Sequence, residues 1–97
     1  MQYQITLTVG HNVKGVPTLT TREVVNCVTT YLGAKGATVL GCDGMWEGVP
    51  ETSTRIEVVR DNLTRDMIYK RVRKMSRCLR QEAIMCEVKE VTIEFLG

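Results

Sequence analysis

One segment of this chain could do chemistry through charge alone. Between Asn62 and Arg80 lie seven cations, Arg65, Lys70, Arg71, Arg73, Lys74, Arg77 and Arg80, against one acid, Asp66. The window carries +6, so the rest of the chain must carry −4 to leave the net charge of +2. Lys70, Arg73, Lys74 and Arg77 fall at i, i+3, i+4 and i+7, which on a helix makes one continuous stripe. Solvated faces ordinarily mix signs. A stripe of one sign predicts an anionic partner, either an acidic protein surface or the phosphate backbone of a nucleic acid.

The remaining candidates are scattered. His11 is the only histidine and could serve as a general base. Trp46, the only tryptophan, lies in the polar stretch Asp43–Pro50, as a ligand-stacking or partner-anchoring side chain would. Asn12, Glu47, Gln81 and Glu82 could complete a ligand edge with them. His11 and Cys42 would make a nucleophile pair, but nothing in their spacing requires contact.

Several chemistries are excluded. Asp43, Glu47 and Glu51 offer oxygens to a divalent cation, yet the EF-hand spacing is missing and no metal is expected. Gly10 to Gly15 spans Gly-x-x-x-x-Gly without the Lys-Ser/Thr of a P-loop. Cys27, Cys42, Cys78 and Cys86 form no Cys-x-x-Cys pair, which predicts reduced, mostly buried thiols and no zinc site. No cofactor is expected. No apolar run approaches the roughly 20 residues that span a bilayer. The start, Met1 to Ile5, lacks the features of a signal peptide, so the expected location is the cytoplasm and no membrane contact is expected.

The 97 residues, 43% apolar and 25% charged, predict one globular domain over 1–97. Tyr3, Ile5, Leu7 and Val9 alternate with polar residues as a half-buried strand does. Gly10 to Pro17 reads as loop. Thr20 and Glu23 have capping-box spacing, and Val24, Val25, Val28, Tyr31 and Leu32 follow at helical period up to Gly33 or Gly36. Ala37–Cys42 predicts a second strand, Asp43–Pro50 a turn region, and Thr54, Ile56 and Val58 a third strand. Asp61-Asn62 is expected to start the basic helix, whose apolar stripe is Ile68, Val72, Met75 and Leu79. Ala83–Val88 and Val91–Leu96 are extended: one bent strand, or two if the chain breaks at Lys89-Glu90.

The order β-α-β-β-α-β predicts an α+β, ferredoxin-like fold: a four-stranded antiparallel sheet in the order 4-1-3-2, both helices on one face, with a fifth short C-terminal strand as a variant. That topology brings His11, Asn12, Asp43, Trp46, Glu47, Glu51, Gln81 and Glu82 to one edge of the sheet. The open face, with Gln4, Thr6 and Thr8 beside Arg55, Glu57 and Val59, lacks the aromatic rings with which sheets of this shape read RNA. It predicts instead a homodimer or higher oligomer.

Gly44-Met45-Trp46-Glu47-Gly48, Glu51-Thr52-Ser53-Thr54-Arg55-Ile56 and Gln81-Glu82-Ala83-Ile84 together resemble a small bacterial domain family of unknown function. The family shows Gly-x-Trp, a Glu-x-Ser strand entry and a late Gln-Glu before the final strand. The resemblance implies the fold and the edge, not an activity; the size is also similar to accessory proteins of phages and mobile elements. The expected function is a small binding module, with Lys70, Arg73, Lys74, Arg77 and Trp46 contacting the partner, and in a mobile-element setting an inhibitor of a host system. The alternative is a ligand-binding protein or acid/base enzyme at the His11/Trp46/Glu82 edge; of the two, binding is favoured over catalysis.

Overall fold

The alternation of β1 (Gln2–Gly10) decides where the core lies. The computed structural model describes residues 1–97. In it Tyr3, Ile5, Leu7 and Val9 all turn to one side and are buried. β1 is an inner strand, antiparallel to β5 (Val49–Asp61) on one side and to β6 (Met85–Val91) on the other. β4 (Thr38–Trp46) adds to the outside of β5, giving the sheet order β4-β5-β1-β6. This is the ferredoxin-like arrangement, with both helices on the face that Ile56 and Val58 of β5 share with Tyr3 to Val9. No helix is long and apolar enough to cross a membrane.

α1 (Thr21–Leu32) begins where the capping box predicts. Thr20 Oγ1 accepts from the Glu23 N–H at 3.1 Å, and the Glu23 carboxylate accepts in return from the Thr20 N–H at 3.3 Å. Such a cap contributes about 1 kcal/mol. Val24, Val28 and Leu32 are buried one turn apart. Gly33 ends the helix with φ of 62°, and Arg60 Nη1 donates to the carbonyls of Leu32 and Gly33, supplying a cation where the helix leaves its last acceptors. A side chain at position 33 would strike that guanidinium, its Cβ lying 2.6 Å from Nη1.

α2 (Arg65–Cys78) starts later than expected. Asp61 still belongs to β5, Asn62 takes a left-handed φ of 61°, and Thr64 is the cap, its Oγ1 accepting from the Met67 N–H at 3.2 Å. Strand pairing of Asp61 with Gln2 outlasts the sequence's polar cue. Ile68, Val72, Met75 and Leu79 are buried as their spacing predicts.

Three further stretches differ from expectation. Gly10–Pro17 is not all loop: β2 (Asn12–Val13) and β3 (Val16–Pro17) pair across Lys14 and Gly15, both at positive φ. The Asp43–Pro50 turn region shrinks to Glu47-Gly48, with φ of 50° and 80°, a two-residue turn whose twist matches the flanking strands. Trp46 therefore ends a strand and is not in a loop. The C-terminal variant with a fifth strand is absent. β6 runs unbroken through Lys89-Glu90, and beyond Val91 the chain is tied back by the Ile93 N–H donating to Gln2 Oε1 at 2.9 Å.

Candidate ligand cavity on the open face of the sheet

The site grows from the last residues of β1. Gly10 pairs with Ser53, and the next N–H, that of His11, donates to the Thr52 carbonyl at 2.9 Å. His11 turns to the helix side. It is 8% exposed, and its Nε2 lies 2.7 Å from the hydroxyl of the fully buried Thr54. Its carbonyl accepts from the N–H groups of Thr18 and Leu19. His11 is thus a brace between β1, β5 and the loop into α1, and does not line the cavity described next. Cys42, paired with Ser53 on the other face, is out of its reach.

Asn12 is where the edge closes. Its N–H donates to Glu51 Oε2 at 3.1 Å, and its carbonyl accepts from Gln81 Nε2 at 2.9 Å. The Glu51 carboxyl lies over Gly10, where a Cβ would be only 2.3 Å from Oε1. The absence of a side chain at position 10 makes the seat for the carboxylate. Gln81 follows Arg80, whose φ of 54° turns the chain out of α2, and its own carbonyl accepts from Ser76 Oγ at 3.0 Å.

Around this chain of bonds a cavity of about 730 Å³ opens on the uncovered face of the sheet. That volume suits a ligand of small-molecule size. Asn12, Asp43, Trp46, Glu47, Glu51, Gln81 and Glu82 all line it, so seven of the eight residues expected at the edge come together and only His11 stays out. Trp46 is 50% exposed at its rim. Asp43, Glu47, Glu51 and Glu82 face Lys14, Arg55 and Arg80, four carboxylates to three cations. No three His, Cys, Asp or Glu side chains converge as metal ligands would.

Arg55 was legible as a strand residue but not as a member of the site. Glu51, Ser53 and Arg55 stand two apart on β5, so the period that puts Arg55 on the open face also puts it on the same side as the edge residue Glu51, which is the signal that joins it to the site. Arg55 reaches Glu57 and Glu87, each at 3.7 Å. Gly44 matters by what it lacks, since a Cβ there would lie 2.9 Å from Ser53 Oγ.

The residues expected to bind a partner do not form one surface. Lys70, Arg73, Lys74 and Arg77 are exposed on α2, in the helix layer, whereas Trp46 belongs to the sheet. The thiols also depart from expectation. Cys78 is exposed and the other three are half-buried: Cys27 and Cys86 pack against the margin of the core, whereas Cys42 is on the open face of β4 and lines the cavity. Burial, with Cys78 alongside, pushes the Cys27 thiol up to about 11, and burial next to Glu87 raises that of Cys86.

No protein-family model and no curated protein matches the chain. Among solved structures it is similar to a phage SAM lyase in the apo state, with a TM-score of 0.73 and 22% identity over 98% of this chain and 92% of that one. A phage SAM lyase in complex with S-methyl-5'-thioadenosine gives a TM-score of 0.71 and 20% identity over 92% of this chain and 81% of that one. The likeness is one of fold.

Proposed function

We propose that the open-face cavity binds S-adenosylmethionine and releases S-methyl-5'-thioadenosine from it. The observation that carries this reading is the preorganised Glu51 carboxylate, held by the Asn12 N–H in a cavity rimmed by a half-exposed tryptophan. S-adenosylmethionine carries a sulfonium and an ammonium against one carboxylate. A lining of four acids and three cations complements that net positive charge. Trp46 offers a face to the purine, a contact worth about 1–3 kcal/mol for a stacked base, and Glu51 a fixed anion to the ammonium. The shared fold with a phage SAM lyase supports the choice of ligand.

Release of S-methyl-5'-thioadenosine requires cleavage between the sulfonium and the Cγ of the methionine part. The substrate's own carboxylate can do this. Its oxygen bonds to Cγ, the C–S electron pair passes to sulfur, and a five-membered lactone leaves with its ammonium intact. No proton moves, so no general base is required, and His11 is free to brace the fold. The protein's work is positioning: folding the substrate chain so that carboxylate and Cγ meet. Loss of S-adenosylmethionine would starve the methyltransferases of a cell, which is one way a phage-type protein inhibits a host system.

A second reading has its own observation. Both ion pairs of the molecule belong to Arg55, which leaves the cations on the outer face of α2 without carboxylate partners and so available to an anionic one.

The deciding experiment is incubation with S-adenosylmethionine followed by chromatography for S-methyl-5'-thioadenosine. Turnover is expected from the native chain and not from Glu51→Gln, with Trp46→Ala raising KM. Neither turnover nor calorimetric binding of either nucleoside at millimolar concentration would sink the reading.

A further inference from the structure

The cations of α2 divide into two kinds. Arg65 and Arg71 serve the fold. The Arg65 guanidinium stands 5.3 Å from the centre of the Tyr3 ring and its Nη1 donates to the Val88 carbonyl at 3.1 Å, while Arg71 Nη1 donates to the Tyr31 carbonyl at 3.4 Å. Lys70, Arg73, Lys74 and Arg77 make no hydrogen bond or ion pair inside the molecule, and only Arg77, in the last turn, is placed to complement the helix dipole. All four are exposed, opposite the buried Ile68, Val72 and Met75, and none has a carboxylate within ion-pair range. Lys70 with Lys74, and Arg73 with Arg77, are like charges one turn apart, a spacing that weakens a helix. Stability does not account for the stripe.

We propose that this face of α2 binds the phosphate backbone of a duplex nucleic acid without reading its sequence. The four cations span about 10 Å of helix at 1.5 Å per residue, a rod of positive charge facing outward from the helix layer. An acidic protein surface is the poorer match. Protein interfaces are anchored by apolar or aromatic side chains at their centre, with charges at the rim. Among large apolar side chains of α2 only Met67 is exposed, and it lies at the N-terminal end of the stripe. Cations with no apolar centre are what a phosphodiester chain requires, since phosphate contacts position a protein but carry no base information. The face is in the helix layer and the cavity on the uncovered side of the sheet, so the two activities are separable.

The test is fluorescence anisotropy of two labelled 20-base-pair DNA duplexes of unrelated sequence. Each neutralised phosphate adds about 0.9 to the slope of log affinity against log salt, so four contacts weaken binding on the order of 100-fold between 50 and 200 mM salt. Both duplexes should bind alike, and Arg73→Gln and Lys74→Gln should each lower the slope by about one unit. Joint replacement Lys70→Glu, Arg73→Glu, Lys74→Glu, Arg77→Glu should abolish binding; circular dichroism checks its fold, and the single Gln variants carry the test if it fails to fold. Absence of binding at 50 mM salt, a slope shallower than one, or Gln variants identical to the native chain would overturn the proposal. Preference for one duplex would overturn its sequence-independence. Displacement of DNA by poly-glutamate at equal charge would replace it with an acidic protein partner.

Discussion

Glu51 and Gly10 occupy each other's space. The carboxyl of Glu51 lies where the side chain of residue 10 would be, 2.3 Å from the position of its Cβ, and so reaches the Asn12 N–H across 39 residues of sequence. The contact joins β1 to β5 at the mouth of the cavity. It fixes an anion there before any ligand arrives.

Gly10→Ala therefore separates site from stability. The obstructed atoms are the far end of a flexible side chain, so Glu51 should swing out with little damage to the sheet, costing about 1 kcal/mol for the lost hydrogen bond. Nucleoside binding should fall far more than the melting temperature does. Calorimetry with S-adenosylmethionine beside a thermal melt checks this; a variant that binds as tightly as the native chain would show that the seated carboxylate is not the anchor.

His11→Ala should act on folding alone. It strands the fully buried Thr54 hydroxyl, at a cost of about 1–3 kcal/mol. A domain of this size loses about 4–8 °C of melting temperature per kcal/mol. Turnover per folded molecule should be unchanged, because His11 does not line the cavity. A selective loss of kcat at unaltered stability would return His11 to the chemistry.

Leu40 of β4 is on the open face beyond the cavity and is 51% exposed. A second copy laid against that end of β4 would bury it, contributing about 1.5–3 kcal/mol if fully covered, and would leave Trp46 free at the cavity rim. Light scattering should give a mass well above 10.9 kDa, and Leu40→Glu should lower it. A monomer mass for the native chain across a wide concentration range would remove the prediction.

Cys27, raised to about 11, holds its proton in the folded state where the unfolded chain would lose it. Between pH 9 and about 11 the folded state binds more protons than the unfolded one, so stability falls as pH rises through that window. Below it the contribution is fully present. At pH 8 iodoacetamide should modify exposed Cys78 well before Cys27, and a mass-spectrometric time course showing equal rates would contradict the burial that shields Cys27.

What the sequence determined by itself was everything with a local period. The alternation Tyr3-Ile5-Leu7-Val9, the Thr20/Glu23 box and the Ile68-Val72-Met75-Leu79 stripe each name an element and its inward face, because side-chain direction repeats every 2 residues in a strand and every 3.6 in a helix. Element order with short connections then left one economical sheet, and that sheet put His11, Asn12, Asp43, Trp46, Glu47, Glu51, Gln81 and Glu82 at one edge. Only the tertiary structure decided which side chains entered the cavity. The alternation of β1 carries His11 to the side of Val9 and that of β5 carries Glu51 to the side of Arg55, but nothing local chooses the groups they meet there. That choice rests on the register of β1 against β5, on the hydroxyl of Thr54 that rewards the first and on the missing Cβ of Gly10 that admits the second. Such partners lie some 40 residues away, beyond the reach of any periodicity.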